Sequence, residues 1–318
     1  MRIVSLFSGA GGLDLGLTKA GHEIVWANDF DHDSCETYRK NISTDIVEED
    51  IYKIKVDIIP DADVIVGGFP CQGFSLANLN RSMDDDRNTL YKQFVKVVKK
   101  KQPAYFLAEN VKGLLSMDGG NVIKCIVKDF EHAGYRVKYK LFNAADYGVP
   151  EIRQRVIIAG TRKDLPMDAD FEFPEQTHAK PEKAKDTNLK PWVNVGQALS
   201  AIGEPRGDKR DPPNHVYSQY KLVVRNFTGH RETDPKKPSP TILARGNGKG
   251  GVCAIPHPKN HRRMSVRESA LVQTFPSDFV FVGSLGSCYR QVGNAVPVLF
   301  AQKLGEQLRK VELVVICE

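Results

Sequence analysis

The sequence lacks several features that settle a protein's class early. No apolar run among its 318 residues approaches the roughly 20 residues of a membrane-spanning helix, so a helical membrane protein is excluded. The opening Met1-Arg2-Ile3-Val4-Ser5-Leu6-Phe7 leads straight into a strand-like pattern and carries no secretory signal, so a cytoplasmic protein is expected. Six cysteines (Cys35, Cys71, Cys125, Cys253, Cys288 and Cys317) are scattered without a single C-x-x-C pair. That spacing predicts reduced thiols, with no zinc site, no other metal and no disulfide framework. There is no internal repeat and no low-complexity tract. The G-x-G-x-x-G spacing is also missing, so the pyrophosphate fingerprint is not met.

What remains is an ordinary globular composition, 41% hydrophobic and 26% charged, over a length that suits two domains. The net charge of +6 is unevenly spread. Residues 162–263 hold 19 Lys and Arg against 12 Asp and Glu, whereas the rest of the chain holds 26 against 27. A basic segment joined to a neutral body suits a polyanion-binding module, although basic surface is equally often plain solvation.

Residues 1–162 alternate between the two secondary-structure periods. Strands are expected at Arg2–Phe7, Glu23–Ala27, Asp63–Val66, Ala104–Ala108 and Arg155–Ala159, and helices at Leu13–Ala20, Asp33–Asn41, Leu90–Lys101 and Asn121–His132. Such alternation predicts a doubly wound α/β domain with a mostly parallel sheet. Beyond Arg162 the chain is rich in Pro, Lys, Asp and Gly, and only Val195–Ile202 reads as a helix until Ser265–Phe275 and the amphipathic Val296–Lys310. The expected division is a catalytic domain of residues 1–162 plus 290–318 and a smaller loop-rich domain of residues 163–289.

Several strand ends carry chemistry. Phe7-Ser8-Gly9-Ala10-Gly11-Gly12, between the first strand and the first helix, lets a ligand approach the backbone and offers free N–H groups to an anion. Asp29 closes the second strand, where a carboxylate accepts hydrogen bonds from ribose hydroxyls or else caps the next helix. Phe30 offers a face to a purine, and Asp50-Ile51 ends a third segment in the same manner. Gly67-Gly68-Phe69-Pro70-Cys71-Gln72 puts a lone thiol on a stiff turn at the end of a β-branched strand. By itself that thiol is either core filler or a nucleophile. Glu109 in Ala108-Glu109-Asn110-Val111 ends the next strand, and a thiol beside a carboxyl suits attack on an electron-poor ring whose nitrogen must be protonated. Arg153-Gln154-Arg155 would add two positive charges to the same rim. No histidine is placed near Cys71, which weakens a thiol-hydrolase reading.

In this order, Phe7–Leu13, Gly67–Ser75, Glu109-Asn110-Val111, Arg153-Gln154-Arg155, Arg267–Pro276 and Gln291–Pro297 resemble the motifs of DNA (cytosine-5) methyltransferases of the bacterial restriction-modification type. The resemblance runs from Ile3 to the final helix and leaves only the middle unmatched. It implies a Rossmann-like S-adenosylmethionine-dependent domain with a smaller DNA-recognition domain, acting as a monomer on double-stranded DNA with no obligate protein partner. S-adenosylmethionine, leaving as S-adenosylhomocysteine, would be held by Phe7, Gly9, Gly11, Gly12 and Leu13, by Asp29 and Phe30, by Asp50 and Ile51, and by Pro70, Leu90, Asn294 and Ala295. Cys71 would attack C6 of a flipped cytosine, Glu109 would stabilise the proton at N3, and Arg153 and Arg155 would orient base and thiol. The polar stretch Leu76–Asn88, with Arg81 and Arg87, resembles the family's mobile loop over the flipped base, and Gln72 and Ser75 are further candidates for DNA contacts. Arg245, Asn247 and Lys249 fall in the basic middle, at residues 163–263, as candidates for DNA contacts.

One position departs from the family, which has Gln two residues before the first of those arginines where this chain has Glu151. An added carboxylate would raise the pKa of the thiol if it faced Cys71, and would leave it alone if it pointed away. Two other functions fit part of the pattern: a cytosine-5 methyltransferase of RNA, and a DNA-binding protein that has lost catalysis. Intact Cys71 and Glu109 speak against the second, and the large basic middle against the first.

Overall fold

The computed structural model describes residues 1–70, 89–222, 232–244, 255–259 and 261–316. Its centre is a seven-stranded sheet made of β1 (Arg2–Leu6), β2 (Glu23–Asp29), β3 (Ile46–Glu48), β4 (Val64–Gly67), β5 (Tyr105–Val111), β6 (Tyr135–Asn143) and β7 (Gln154–Arg162), in the order β3-β2-β1-β4-β5-β7-β6. β3 through β5 run parallel, and β7 is inserted antiparallel between β5 and β6. The strand order reverses between β1 and β4, so a ligand crevice belongs at the carboxyl ends of those strands.

The sequence explains the strands well. Val64, Ile65 and Val66 are buried without alternation, as a strand covered on both faces requires. Helices α1 (Gly12–Lys19), α2 (His32–Asn41), α3 (Thr89–Lys101) and α4 (Asn121–His132) fill the connections. Under α3 and α4 the rings of Phe94, Phe106, Phe130 and Tyr135 pack together, with Phe106 and Phe130 stacked at 4.1 Å. On the opposite face the final helix lies along α1, with the backbone of Gly16 so close to Ala301 that a Cβ at Gly16 would come within 2.4 Å of it.

The expected strands and helices of the first 162 residues are all present, and most run a residue or more beyond their expected ends. Strand β6 had no counterpart in the sequence reading. Its residues Tyr135-Arg136-Val137-Lys138-Tyr139-Lys140-Leu141-Phe142-Asn143 carry three charges on the sheet's outer edge, where only Tyr135 and Phe142 are buried.

After β7 the chain stays on the sheet for a further turn. Thr161 Oγ1 accepts from Phe171 N at 3.0 Å, and the hydroxyls of Tyr105 and Tyr147 donate to the carbonyls of Ala169 and Pro174. Short pieces follow in the order strand β8 (His178–Ala179), helix α5 (Pro181–Ala184), strand β9 (Lys190–Pro191) and helix α6 (Val195–Ala198). Regular structure returns with α7 (Val266–Val272), α8 (Leu285–Asn294) and α9 (Val298–Ile316). Ser265 caps α7 in a reciprocal capping box with Glu268. A separate apolar cluster of Val195, Ile242, Ile255, Met264, Val272, Phe275 and Val292 gathers these elements beside Ala10.

Candidate active site

β1 ends in a turn with left-handed backbone at Phe7, Gly9 and Gly11, at φ 56°, 54° and 84°. A Cβ at Gly9 would meet nothing, so this residue opens on free space. The other two glycines answer to packing. A Cβ at Gly11 would strike Ile42 and Tyr38, and one at Gly12 would come within 2.5 Å of Val296 O and 3.1 Å of Ala295. Gly12 therefore brings the turn against Ala295, and Asn294 lies exposed next to it. Leu13 faces the core, not the crevice.

Asp29 closes β2 beneath this turn. Its Oδ2 accepts from Gly9 N at 2.8 Å and its Oδ1 from Asp31 N at 2.9 Å. Burial pushes its pKa up, and the hydrogen bonds from Asp31 and Gly9 oppose that. Asp31, not Asp29, caps α2, accepting from Ser34 N. Phe30 is 74% exposed, an unusual state for a phenyl ring, and the Asp50 carboxylate is exposed while Ile51 is buried. Leu90, in the first turn of α3, and Phe7 are both half-buried against the core cluster that contains Phe69.

Below the turn lies a buried polar network that the sequence did not announce. Asp14 accepts from Ser5 Oγ at 2.7 Å and from Tyr38 OH at 2.8 Å, and Ser8 Oγ donates to Ser5 Oγ. Desolvation pushes the Asp14 carboxyl up to about 6 against the pull of those hydroxyls.

β4 and β5 are parallel neighbours, with Gly67 opposite Ala108, so the Gly68 turn and Glu109 share one rim. A Cβ at Gly68 would lie 3.0 Å from Glu109 Oε2. Asn110 Nδ2 donates to Phe69 O at 2.9 Å, pinning the turn that carries Pro70. Arg155 Nε sits 2.6 Å from Glu109 Oε1 in ion-pair contact. No donor among the described residues is aligned for a hydrogen bond to that oxygen. Cys71, Gln72, Ser75, Arg81, Arg87, Arg245, Asn247 and Lys249 lie outside the described residues.

Arg153 departs from the expected role. Its side chain is wholly buried, and its guanidinium donates to the carbonyls of Ile242 at 3.1 Å, Gly293 at 2.7 Å and Ala295 at 2.9 Å. It braces the rim from inside and does not open on it. Burial pushes its pKa down to about 10, and Glu151 works against that shift. Glu151 is equally buried, with Oε1 3.5 Å from Arg153 Nη1 and accepting from Ile242 N at 2.7 Å.

Two groups of His and acidic side chains come together among the described residues, Glu204/His257/His261 and His32/Glu36/Glu48. Arg262 and Lys259 already neutralise Glu204, and Arg39 bridges Glu36 and Glu48.

A glycine turn and an acid at consecutive strand ends, at the switch point of a doubly wound sheet, place the protein among the open α/β folds that bind their ligands at that point. The comparisons narrow that class. Residues 1–310 match the C-5 cytosine-specific DNA methylase family, and the chain belongs to it. Type II methyltransferase M.NgoFVII of Neisseria gonorrhoeae is 42% identical over 93% of this chain and 83% of its own. Type II methyltransferase M.FnuDI of Fusobacterium nucleatum is 38% identical over 98% and 94%. The same fold is found in a putative DNA modification methyltransferase encoded within an Escherichia coli prophage, at TM-score 0.72 and 24% identity, over 98% of this chain and 99% of that one. The Dnmt2 methyltransferase of S. pombe aligns at TM-score 0.70 and 19% identity, over 98% of both chains. The protein is thus an enzyme that methylates cytosine at C5 in DNA.

Proposed function

We propose that this enzyme transfers the methyl group of S-adenosylmethionine to a cytosine extruded from a specific double-stranded DNA sequence, through a covalent bond from Cys71 to C6. The observation that carries this is the alignment of two strand ends. A Cβ at Gly68 would lie 3.0 Å from Glu109 Oε2, and Asn110 holds the Phe69 carbonyl, so the turn two residues before Cys71 is tied to the rim that bears the carboxyl. Like the relatives named Type II methyltransferases, the chain would serve a restriction-modification system.

The residues around the crevice fit the cofactor. Gly9 offers open space and a positive-φ turn, Asp29 a carboxylate suited to a ribose, and Phe30 an uncovered ring for a purine face. Asp50, Ile51, Pro70, Leu90, Asn294 and Ala295 complete the pocket in this proposal. Leu13, Gly11 and Gly12 shape it through their backbone. When bound, the cofactor supplies a methyl group on a positively charged sulfur, which makes that carbon electrophilic.

The chain's own residues do the rest. Cytosine C5 is a poor nucleophile until a thiolate adds at C6 and turns the ring into an enamine. Cys71 makes that bond while Glu109 shares a proton with ring N3 and receives the exocyclic amine. Arg155, already against Glu109, fixes the carboxyl's orientation at the base edge. Arg153 positions the rim from within. After methylation the C5 proton leaves with expulsion of the Cys71 thiolate, restoring the aromatic ring. Extruding the base costs a few kcal/mol, and the Leu76–Asn88 loop with Arg81 and Arg87 would close over it, Gln72 and Ser75 contacting the DNA beside it. The basic middle would read the target, with Arg245, Asn247 and Lys249 among its contacts. Since residues 163–174 stay on the sheet, we place the start of that recognition unit after them.

Cys71→Ser tests the assignment. The variant should lose methyl transfer to DNA while S-adenosylhomocysteine binding stays close to wild type, and 5-fluorocytosine at the target should trap wild-type enzyme covalently. A Cys71→Ser enzyme that methylates at near-normal rate would rule out the covalent mechanism.

A further inference from the structure

Glu151 stands where the resembled family usually has Gln, and its surroundings are those of a joint. The stretch 150–153, which enters β7, runs beside 239–242 of the basic middle. Ser239 N donates to Pro150 O at 2.8 Å, Ile152 N to Ser239 O at 2.8 Å, and Thr241 Oγ1 to Ile152 O at 2.6 Å. Glu151 and Ser239 form a parallel bridge. Glu151 Oε1 then accepts the Ile242 N–H at 2.7 Å, while Arg153 Nη1 takes the carbonyl of the same residue. One peptide unit on either side of Ile242 is thus held by the two side chains together.

The other hand of Arg153 holds Gly293 and Ala295, at the end of α8 where the crevice begins. A Cβ at Gly293 would come within 2.4 Å of Leu243 O, so the 242–244 backbone is clamped between β7's entry and α8. The two charged side chains at its centre are dry: Glu151 and Arg153 have no exposed side-chain surface. A buried group is costly when it loses a partner, and the Ile242 N–H has the Glu151 carboxyl as its acceptor.

We propose that Glu151 is a positioning residue, a buried latch that holds the Ser239–Ile242 segment of the DNA-reading region in register with the catalytic rim through the Ile242 N–H and Arg153. It acts through Arg153 and the backbone and touches neither base nor cofactor. Burial raises its pKa against the pull of Arg153, and Gln keeps a carbonyl oxygen for the Ile242 N–H, which makes Gln the conservative replacement.

The proposal rests on the rim being the site of methyl transfer, which Cys71→Ser tests separately in the same assay. Glu151→Ala and Glu151→Gln are to be compared with wild type in steady-state methylation of a duplex carrying the target, in calorimetric binding of S-adenosylhomocysteine and in thermal melting. With one buried acceptor gone, Glu151→Ala should lose about tenfold or more in kcat/KM for DNA, and Glu151→Gln should recover it to within about threefold. Cofactor affinity should stay within about threefold in both, since the latch lies outside the crevice. The latch is overturned if Glu151→Ala keeps wild-type kcat/KM, if Glu151→Gln is as impaired as Glu151→Ala, or if the loss is matched by an equal fraction of unfolded protein. An inactive Cys71→Ser beside an unaffected Glu151→Ala refutes the latch alone.

Discussion

Replacing Asp14 by Asn should change how the protein's stability responds to pH. Asp14 sits on α1 under the glycine turn, fully buried, with Ser5 and Tyr38 donating to its two oxygens and Ser8 and Asp29 close by. Burial dominates, and it moves the carboxyl from 3.8 to about 6. A folded state that binds a proton more tightly than the unfolded chain is stabilised at low pH. That contribution is fully present below pH 3.8 and is lost as pH rises through about 6. Each pH unit in the interval is worth about 1.4 kcal/mol, so the full swing is roughly 3 kcal/mol. Asn keeps an acceptor and a donor for the two rotatable hydroxyls and does not titrate. The unfolding free energies of wild type and Asp14→Asn, from reversible urea titrations between pH 4 and pH 8, should therefore diverge by about 3 kcal/mol in favour of the variant up to pH 7 and run parallel above it. A difference that stays constant across the whole range would refute the assignment of a titrating Asp14.

Three further outcomes follow from the site. Asp29→Ala removes the acceptor for Gly9 N and should weaken S-adenosylhomocysteine binding by about 10- to 100-fold in calorimetry, with folding retained. Asn110→Ala frees Phe69 O and loosens the turn before Cys71, so kcat should fall by about 10-fold or more while cofactor affinity holds. Gly293→Val should lower Tm by several degrees and impair DNA binding together, because its side chain has no room against Leu243.

Much of this architecture was readable before any coordinates. The Val- and Ile-rich runs that form β1, β4 and β7 announce strands covered on both faces, β2 is marked by its own β-branched run, and the acids and glycines at the strand ends mark the ligand side. What escaped depends on distant partners. β6 hides because an edge strand tolerates Arg136, Lys138 and Lys140. The direction of β7 has no local signal at all, since it follows from pairing with β5 and β6. Arg153 reads as a rim cation in sequence, and only the carbonyls of residues 242, 293 and 295, about 90 to 140 positions away, turn it into an internal brace. Gly11 and Gly12 likewise read as ligand-contacting glycines, whereas their missing side chains make room for α2 and for the link before α9.

The reversed strand has a further meaning for catalysis. In a parallel sheet the crevice is lined by loops leaving strand ends, and a loop residue still has backbone freedom to lose when substrate arrives. Arg155 is placed otherwise. Because β7 runs against its neighbours, Arg155 reaches the rim from within the ladder, opposite Val111 on one side and Phe142 on the other. Its backbone is ordered by folding, and its guanidinium already rests against Glu109. In the mechanism proposed above, capture of a base swung out of the helix would therefore require only side-chain ordering at this contact, with the Glu109 carboxyl in position before DNA binds.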